Sequence, residues 1–246
     1  MADELYLISG STLTDIGDAI RSAKGTTAKI QVGNYASEIR NNIPTYHTVT
    51  FKDLNSATCA TYQVKNGESV VYTGPTPINT DETVDKYFNG WSTDTSVITA
   101  DKTVQANTKT LYQVTNTLSY EQGDFVSGYC QITGCTNQEF AIIPQYLYNG
   151  TEVRRIIEGS GNVFGASLKI IVIAPYIEIG ARAFNACTNL QDVYFLGSTN
   201  LWYNTIQNNF YGGSTGSEKQ SGNMNFWLAP RIHTLDGCIV NTYTGT

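Results

Sequence analysis

The chain has 246 residues, 41% hydrophobic but only 15% charged, so it can bury a core while its surface is polar through hydroxyls and amides. Its net charge of −6, without any run of Lys or Arg, excludes the basic stripe that phosphate backbones require. No stretch approaches the about 18 consecutive apolar residues of a membrane span, so membrane insertion is set aside with nucleic acid.

In chain order, residues 1–44 read as a small helical module. Thr12 is a helix cap with Asp15 as its capping-box acid, Leu13, Ile16, Ile20 and Ala23 recur at helical spacing, and Gly25 ends the run. KIQV (29–32) is a short extended piece; Asn34 then opens a second helix carrying Ala36, Ile39 and Ile43, stopped by Pro44. Some forty residues without a cysteine cannot enclose their own core, so this apolar stripe must meet another surface. The two choices are the rest of the chain, or docking and self-association through Leu13, Ile16, Ile20, Ile39 and Ile43.

Residues 45–117 change to alternating strands: YHTVTF, TYQV, SVVYTG, KTVQA and KTLYQV, punctuated by Lys65-Asn66-Gly67 and Gly74-Pro75-Thr76-Pro77. Trp91, after Gly90, reads as a core plug. In residues 118–246, Leu168, Ile171 and Ile173 recur as Leu190, Val193 and Phe195, 22 residues on, with Phe164 and Phe184 preceding the two sets. Each such unit lays a strand beside the last and cannot bury its apolar face alone. NFWLAP (225–230) reads as another strand-plus-Pro unit in the same rhythm, and residues 198–246 are expected to cap the array. Cys187, in a small slot after Ala183-Phe184, reads as an apolar filler rather than a nucleophile.

Three resemblances rest on these residues. STLTDIGDAIRSAKGTTAKIQVGNYASEIRNNIP is similar to the helical N-terminal module of tail and baseplate proteins of bacteriophages, which implies an attachment end. FNGWSTDTSVITADKTVQA (88–106) resembles the Listeria–Bacteroides repeat, a β-grasp-like module, through Phe88, Gly90, Trp91 and Val104, although the closing QANTKTLYQV departs from it. IGARAFNACTNL (179–190), IPQYLYNGTEVRRI (143–156) and the hairpin lead-in from 119 resemble the BspA-type leucine-rich repeat. The expected fold is therefore mainly β with a small helical module: 1–44 helical, 45–117 β-grasp-like, and 118–246 a short leucine-rich-repeat solenoid with a cap.

A search for chemistry finds little. The two His, His47 and His233, lie outside any metal-spaced or HExxH cluster. Cys59, Cys130, Cys135, Cys187 and Cys238 form neither a disulfide framework nor paired zinc knuckles, as suits a reduced site of synthesis. A Cys238–His233 nucleophile and a glycan-cleaving carboxylate pair are weighed and set aside; no catalytic residue, metal or cofactor is expected. Ligand contact is placed instead on the aromatic insertion, at Trp202, Tyr203, Phe210, Tyr211 and Trp227, where rings among amides suit sugars; packing beneath the loop is the competing reading.

The start MADELYLISG is acidic and reads as a chain without a secretory leader. Taken with the resemblances, this leads to the expectation of a non-enzymatic virion protein made in the host cytoplasm. It would sit at the tail tip, baseplate or fibre, held by other virion proteins through residues 1–44. It is expected to be a homo-oligomer, with a trimer favoured, and to face a host-surface glycan or protein. A head fibre or decoration protein, a bacterial surface adhesin and a glycan-degrading virion enzyme are the alternatives.

Overall fold

A computed structural model describes residues 9–25, 27–42, 44–80, 85–122, 128–135, 138–157, 163–208, 210–211 and 223–241. Strand (35%) outweighs helix (19%), so the chain is mainly β with few helices.

The N-terminal module is a helical hairpin. Helix α1 (Gly10–Lys24) is capped by Ser9, in extended conformation, whose hydroxyl accepts from the Thr12 amide at 3.1 Å. The cap therefore lies one turn earlier than the sequence places it, because Thr12 supplies the bonded amide rather than the capping oxygen. Gly25 ends the helix in the left-handed region (φ 63°), its amide bonding the carbonyls of Arg21 and Ser22. A 3-10 turn at Val32–Asn34 leads into α2 (Tyr35–Asn42). The two helices are tied by the Tyr35 hydroxyl, which donates to the Leu13 carbonyl at 3.0 Å, and by a Lys24–Glu38 ion pair at 2.5 Å.

Four strands follow: β1 (Tyr46–Lys52), β2 (Thr58–Lys65), β3 (Tyr87–Trp91) and β4 (Lys102–Lys109). Their order is β2-β1-β4-β3, with a parallel β1–β4 pair at the centre and antiparallel neighbours outside it. Val49, Phe51, Val64, Ile98 and Val104 form the core of this first β unit. Trp91 is half-buried and stands edge-on to Phe51 (4.8 Å) and Phe88 (5.2 Å), joining two cores rather than plugging one.

Three expected strands do not form, and one of them, NFWLAP (225–230), instead begins within a short helix over Met224–Trp227, with the strand following only at Arg231–His233. Residues 69–74 join no ladder, because their polar groups bond elsewhere: the Val70 amide to the Thr95 carbonyl and the Thr73 amide to the Tyr62 hydroxyl. KTLYQV turns into α3 (Leu111–Thr115), since Thr110 and Gln113 make a complete capping box that captures two amides a strand would have left to a partner.

Beyond α3 the chain alternates between two sheets. β6 (Tyr129–Cys135), β8 (Glu152–Ile156), β10 (Glu178–Gly180) and β12 (Phe210–Tyr211) lie parallel in one sheet. β7 (Phe140–Ile143), β9 (Ile170–Ile173), β11 (Asp192–Phe195) and β13 (Arg231–His233) lie parallel in the other. Antiparallel strands close one edge of each sheet, β5 (Leu118–Gln122) on β6 and β14 (Cys238–Val240) on β13. The 22-residue spacing is the strand register itself: Ile171 pairs with Val193 and Ile173 with Phe195. Between the sheets lies one core that includes Ile132, Ile156, Ile171, Val193 and Cys187. Phe164, Phe184 and Phe226 stack through it at 4.7 and 4.3 Å. Two short helices, α4 (Thr199–Asn208) and α5 (Met224–Trp227), flank the last turn of the chain.

Because strand side chains alternate, the second sheet has an outer face too. Register places Ile142, Val172, Tyr194 and His233 side by side on it. Ile142, Val172 and Tyr194 form one shared core with Leu54, Phe88 and Ala106 of the first β unit, so the two β units pack as neighbours.

Candidate functional site

The seam between the β units holds a charged group of buried and half-buried side chains. Asp192 and Arg231 face each other in the β11–β13 register, and Arg231 grips the carboxylate through two nitrogens at 2.6 and 2.7 Å. Two residue pairs along the ladder from them, and so on the same face of the sheet, His233 is fully buried, its Nε2 2.8 Å from Asp192 Oδ1 and its Nδ1 2.9 Å from the Gly74 carbonyl. Both partners are acceptors, so both ring nitrogens must donate and the ring is an imidazolium. It stacks on Tyr194 at 4.1 Å and lies near-parallel to Tyr72 at 5.8 Å.

Burial alone would pull the His233 pKa down. Asp192, the thiol of Cys238 opposite it in the ladder and the Gly74 carbonyl outweigh that and push it up to about 9. Burial would likewise raise the Asp192 carboxyl, but the bonds from His233 and Arg231 hold it below the usual carboxylate range.

Gly74 is required for this approach: a Cβ there would run into the buried ring of Tyr72, whose hydroxyl is fixed by donating to the Pro75 carbonyl at 2.7 Å. Thr76 completes the seam, its amide bonding the Thr234 carbonyl at 2.8 Å and its hydroxyl the His233 carbonyl at 2.8 Å. Residues 74–76 of the first unit are thus fastened to β13 of the second. Both ring nitrogens of His233 face acceptors, one from each unit, so the ring ties the two units together. Sequence patterns for catalysis miss it, because Asp192 and His233 meet only through strand register. The signal that could have found it is the alignment of DVY (192–194) with RIH (231–233), which sets Asp beside Arg and Tyr beside His.

A cleft of about 590 Å³ opens near this seam, with Leu54, Phe88, Val172, Leu196 and Leu235 among its walls. The charges at its rim already have partners in the protein: Asp85 accepts from the Leu111 amide at 2.7 Å, and Lys86 reaches the Leu54 carbonyl at 3.5 Å.

The sequence-predicted contact residues separate. Trp202 and Trp227 are 1% and 7% exposed and pack in the inter-sheet core, with Trp202 against Phe195 at 5.2 Å and Phe226 at 5.4 Å. Neither offers a face to a ligand, which corrects the expectation for these two. α4 turns its apolar side inward, and an indole is the largest side chain available to fill the space beneath it. Tyr203, the next residue, is 49% exposed. The side chains of Phe210 and Tyr211 and all of residues 212–222 lie outside what the structure describes.

Of the attachment residues, Ile20 is buried within the hairpin, Leu13 and Ile16 are half-buried, and Ile39 is exposed, as is Val32; Ile43 lies outside the described residues. None of the described residues 9–42 belongs to any of the three cores. Cys187 is fully buried, where burial pushes its thiol up to about 12. Among the described residues no three His, Cys, Asp or Glu side chains are placed to hold a metal ion, and no helix is long and apolar enough to cross a membrane. No family model, curated protein or solved structure matches the chain.

Proposed function

We propose that this chain is a non-enzymatic structural protein of a bacteriophage virion, a component of the tail tip, baseplate or fibre. Residues 1–44 attach it to other virion proteins, and the β units project outward to meet the host surface. The observation that carries this reading is the hairpin. Its helices lie outside the three cores and keep Leu13, Ile16, Val32 and Ile39 partly or fully open to solvent. An apolar stripe left open on a small amphipathic element is the surface that subunit contacts cover. Self-association of the hairpin at a symmetry axis, as a trimer, is part of the same proposal.

The finer fold belongs to it as well. A mixed sheet with its first and last strands parallel at the centre supports a β-grasp-like unit. Strands alternating between two sheets at a 22-residue register support a leucine-rich-repeat solenoid with capped ends. The fastened seam lets the two act as a single rigid arm, as suits a projecting part.

The test is immunogold labelling of intact particles from the source culture with antibodies against the β units. Label at the tail supports the proposal, and label at the capsid moves the chain to a head fibre or decoration. Particles without the chain, with label on the bacterial surface instead, would replace it with an adhesin.

A further inference from the structure

We infer that the chain carries a binding site for a neutral sugar ring where α3 meets β5 and the turn after β7, away from the aromatic insertion. A cavity of about 270 Å³ lies there, lined by Tyr112, Tyr120, Tyr148, Thr115, Asn116 and Asn149 around a floor of Leu118 and Leu147. That is slightly below the about 300 Å³ at which pockets begin to take drug-sized molecules, and it suits a single pyranose.

The walls are aromatic and open: Tyr112 is 55%, Tyr120 47% and Tyr148 66% exposed. Tyr112 and Tyr148 stand edge to face, their centroids 5.1 Å apart and their planes 75° apart, so they offer two faces meeting in a corner. A pyranose places its C–H face on such a ring and turns its hydroxyls outward, where the carboxamides of Asn116 and Asn149 and the tyrosine hydroxyls supply donors and acceptors. No lining side chain is charged, which favours a neutral sugar over a phosphate, a carboxylate or a basic peptide.

The corner is built, not loose. Thr110 and Gln113 lock the start of α3, and the Asn116 amide ends it on the Tyr112 carbonyl. The turn bearing Tyr148 is fixed by Gly150 at φ 82°, by its amide bond to the Leu147 carbonyl at 2.9 Å and by the Asn149 side chain accepting from the Thr151 amide at 3.0 Å. Leu118 and Leu147 are buried and hold the floor.

The site goes beyond the virion reading and does not rest on it. Particles that contain the chain while the purified protein ignores sugars would remove this site alone; sugar binding by a chain absent from particles would remove the other alone. The experiment is saturation-transfer NMR on the purified full-length protein with the methyl glycosides of glucose, galactose, N-acetylglucosamine and rhamnose. At least one should bind with a Kd on the order of a millimolar. Tyr148→Ala should weaken it about tenfold, the equivalent of one lost stacking face, with an unchanged unfolding temperature. Tyr148→Phe should keep most of the affinity, and Tyr176→Ala, an exposed tyrosine not among the cavity's lining residues, should keep all of it. Absence of transfer to all four glycosides overturns the inference, and so does binding that survives both Tyr148→Ala and Tyr112→Ala.

Discussion

His233 should make the stability of this protein fall as the medium turns mildly alkaline. Its pKa stands at about 9 in the folded chain against 6.5 for the free side chain. A folded-state pKa raised above the unfolded value adds stability that is complete below pH 6.5 and disappears as pH climbs through about 9. The difference corresponds to on the order of 3 kcal/mol. Asp192 works in the opposite sense: its depressed pKa adds stability above the ordinary carboxylate range and loses it as pH falls through the lower folded value.

Urea unfolding of the native protein and of His233→Gln, at about pH 6 and at about pH 9, separates this group from the rest. Other titrations cancel in the difference between the two proteins. These include the buried thiols of Cys130 and Cys187, pushed up to about 11 and about 12, which ionise only in the unfolded chain near pH 9. At about pH 6 the variant should be several kcal/mol less stable, because Asp192 and the Gly74 carbonyl lose a charged donor. By about pH 9 the gap should narrow by on the order of 3 kcal/mol. A gap that stays constant across that window would refute the argument that the buried ring is an imidazolium.

Thr76→Val keeps the shape of the seam but strips the His233 carbonyl of its hydroxyl donor, so urea unfolding should show a loss of about 1–3 kcal/mol. Trp202→Ala should cost about 3–5 kcal/mol by the same assay, through the cavity left against Phe195 and Phe226. It should leave the affinity of any glycoside that binds near Tyr148 unchanged.

Much of this architecture can be read from periodicity. The 22-residue recurrence of Leu168, Ile171 and Ile173 is a register, and Cys187 sits in the buried slot its neighbours define. Gly25 ends α1 because that position needs φ above zero, a requirement visible in one residue. Elsewhere local patterns are overruled. The alternation in KTLYQV suits a strand, but the Thr110–Gln113 capping box satisfies two of its amides within the segment itself. Residues 69–74 alternate because Val70 and Tyr72 point into a core, while their backbone bonds a loop, a side chain and the other unit. The candidate sites are harder still. The Asp192–His233 bond spans 41 residues, and the tyrosine corner collects a helix, a strand and a turn that only the fold brings together. Two rings of the aromatic insertion mislead for the opposite reason: Trp202 on α4 and Trp227 on α5 look like part of a recognition surface but fill the space between sheets, whereas Tyr203 stays exposed.

The central claim is that the open stripe of the hairpin fastens this chain to other subunits. Light scattering on the native protein and on the double variant Ile16→Asp, Ile39→Asp tests it most directly. The native protein should weigh a multiple of 27.0 kDa, three times that value for the trimer, and the variant should fall to 27.0 kDa while its β units unfold as before. A native protein that runs as a single 27.0 kDa species at every concentration would contradict the account.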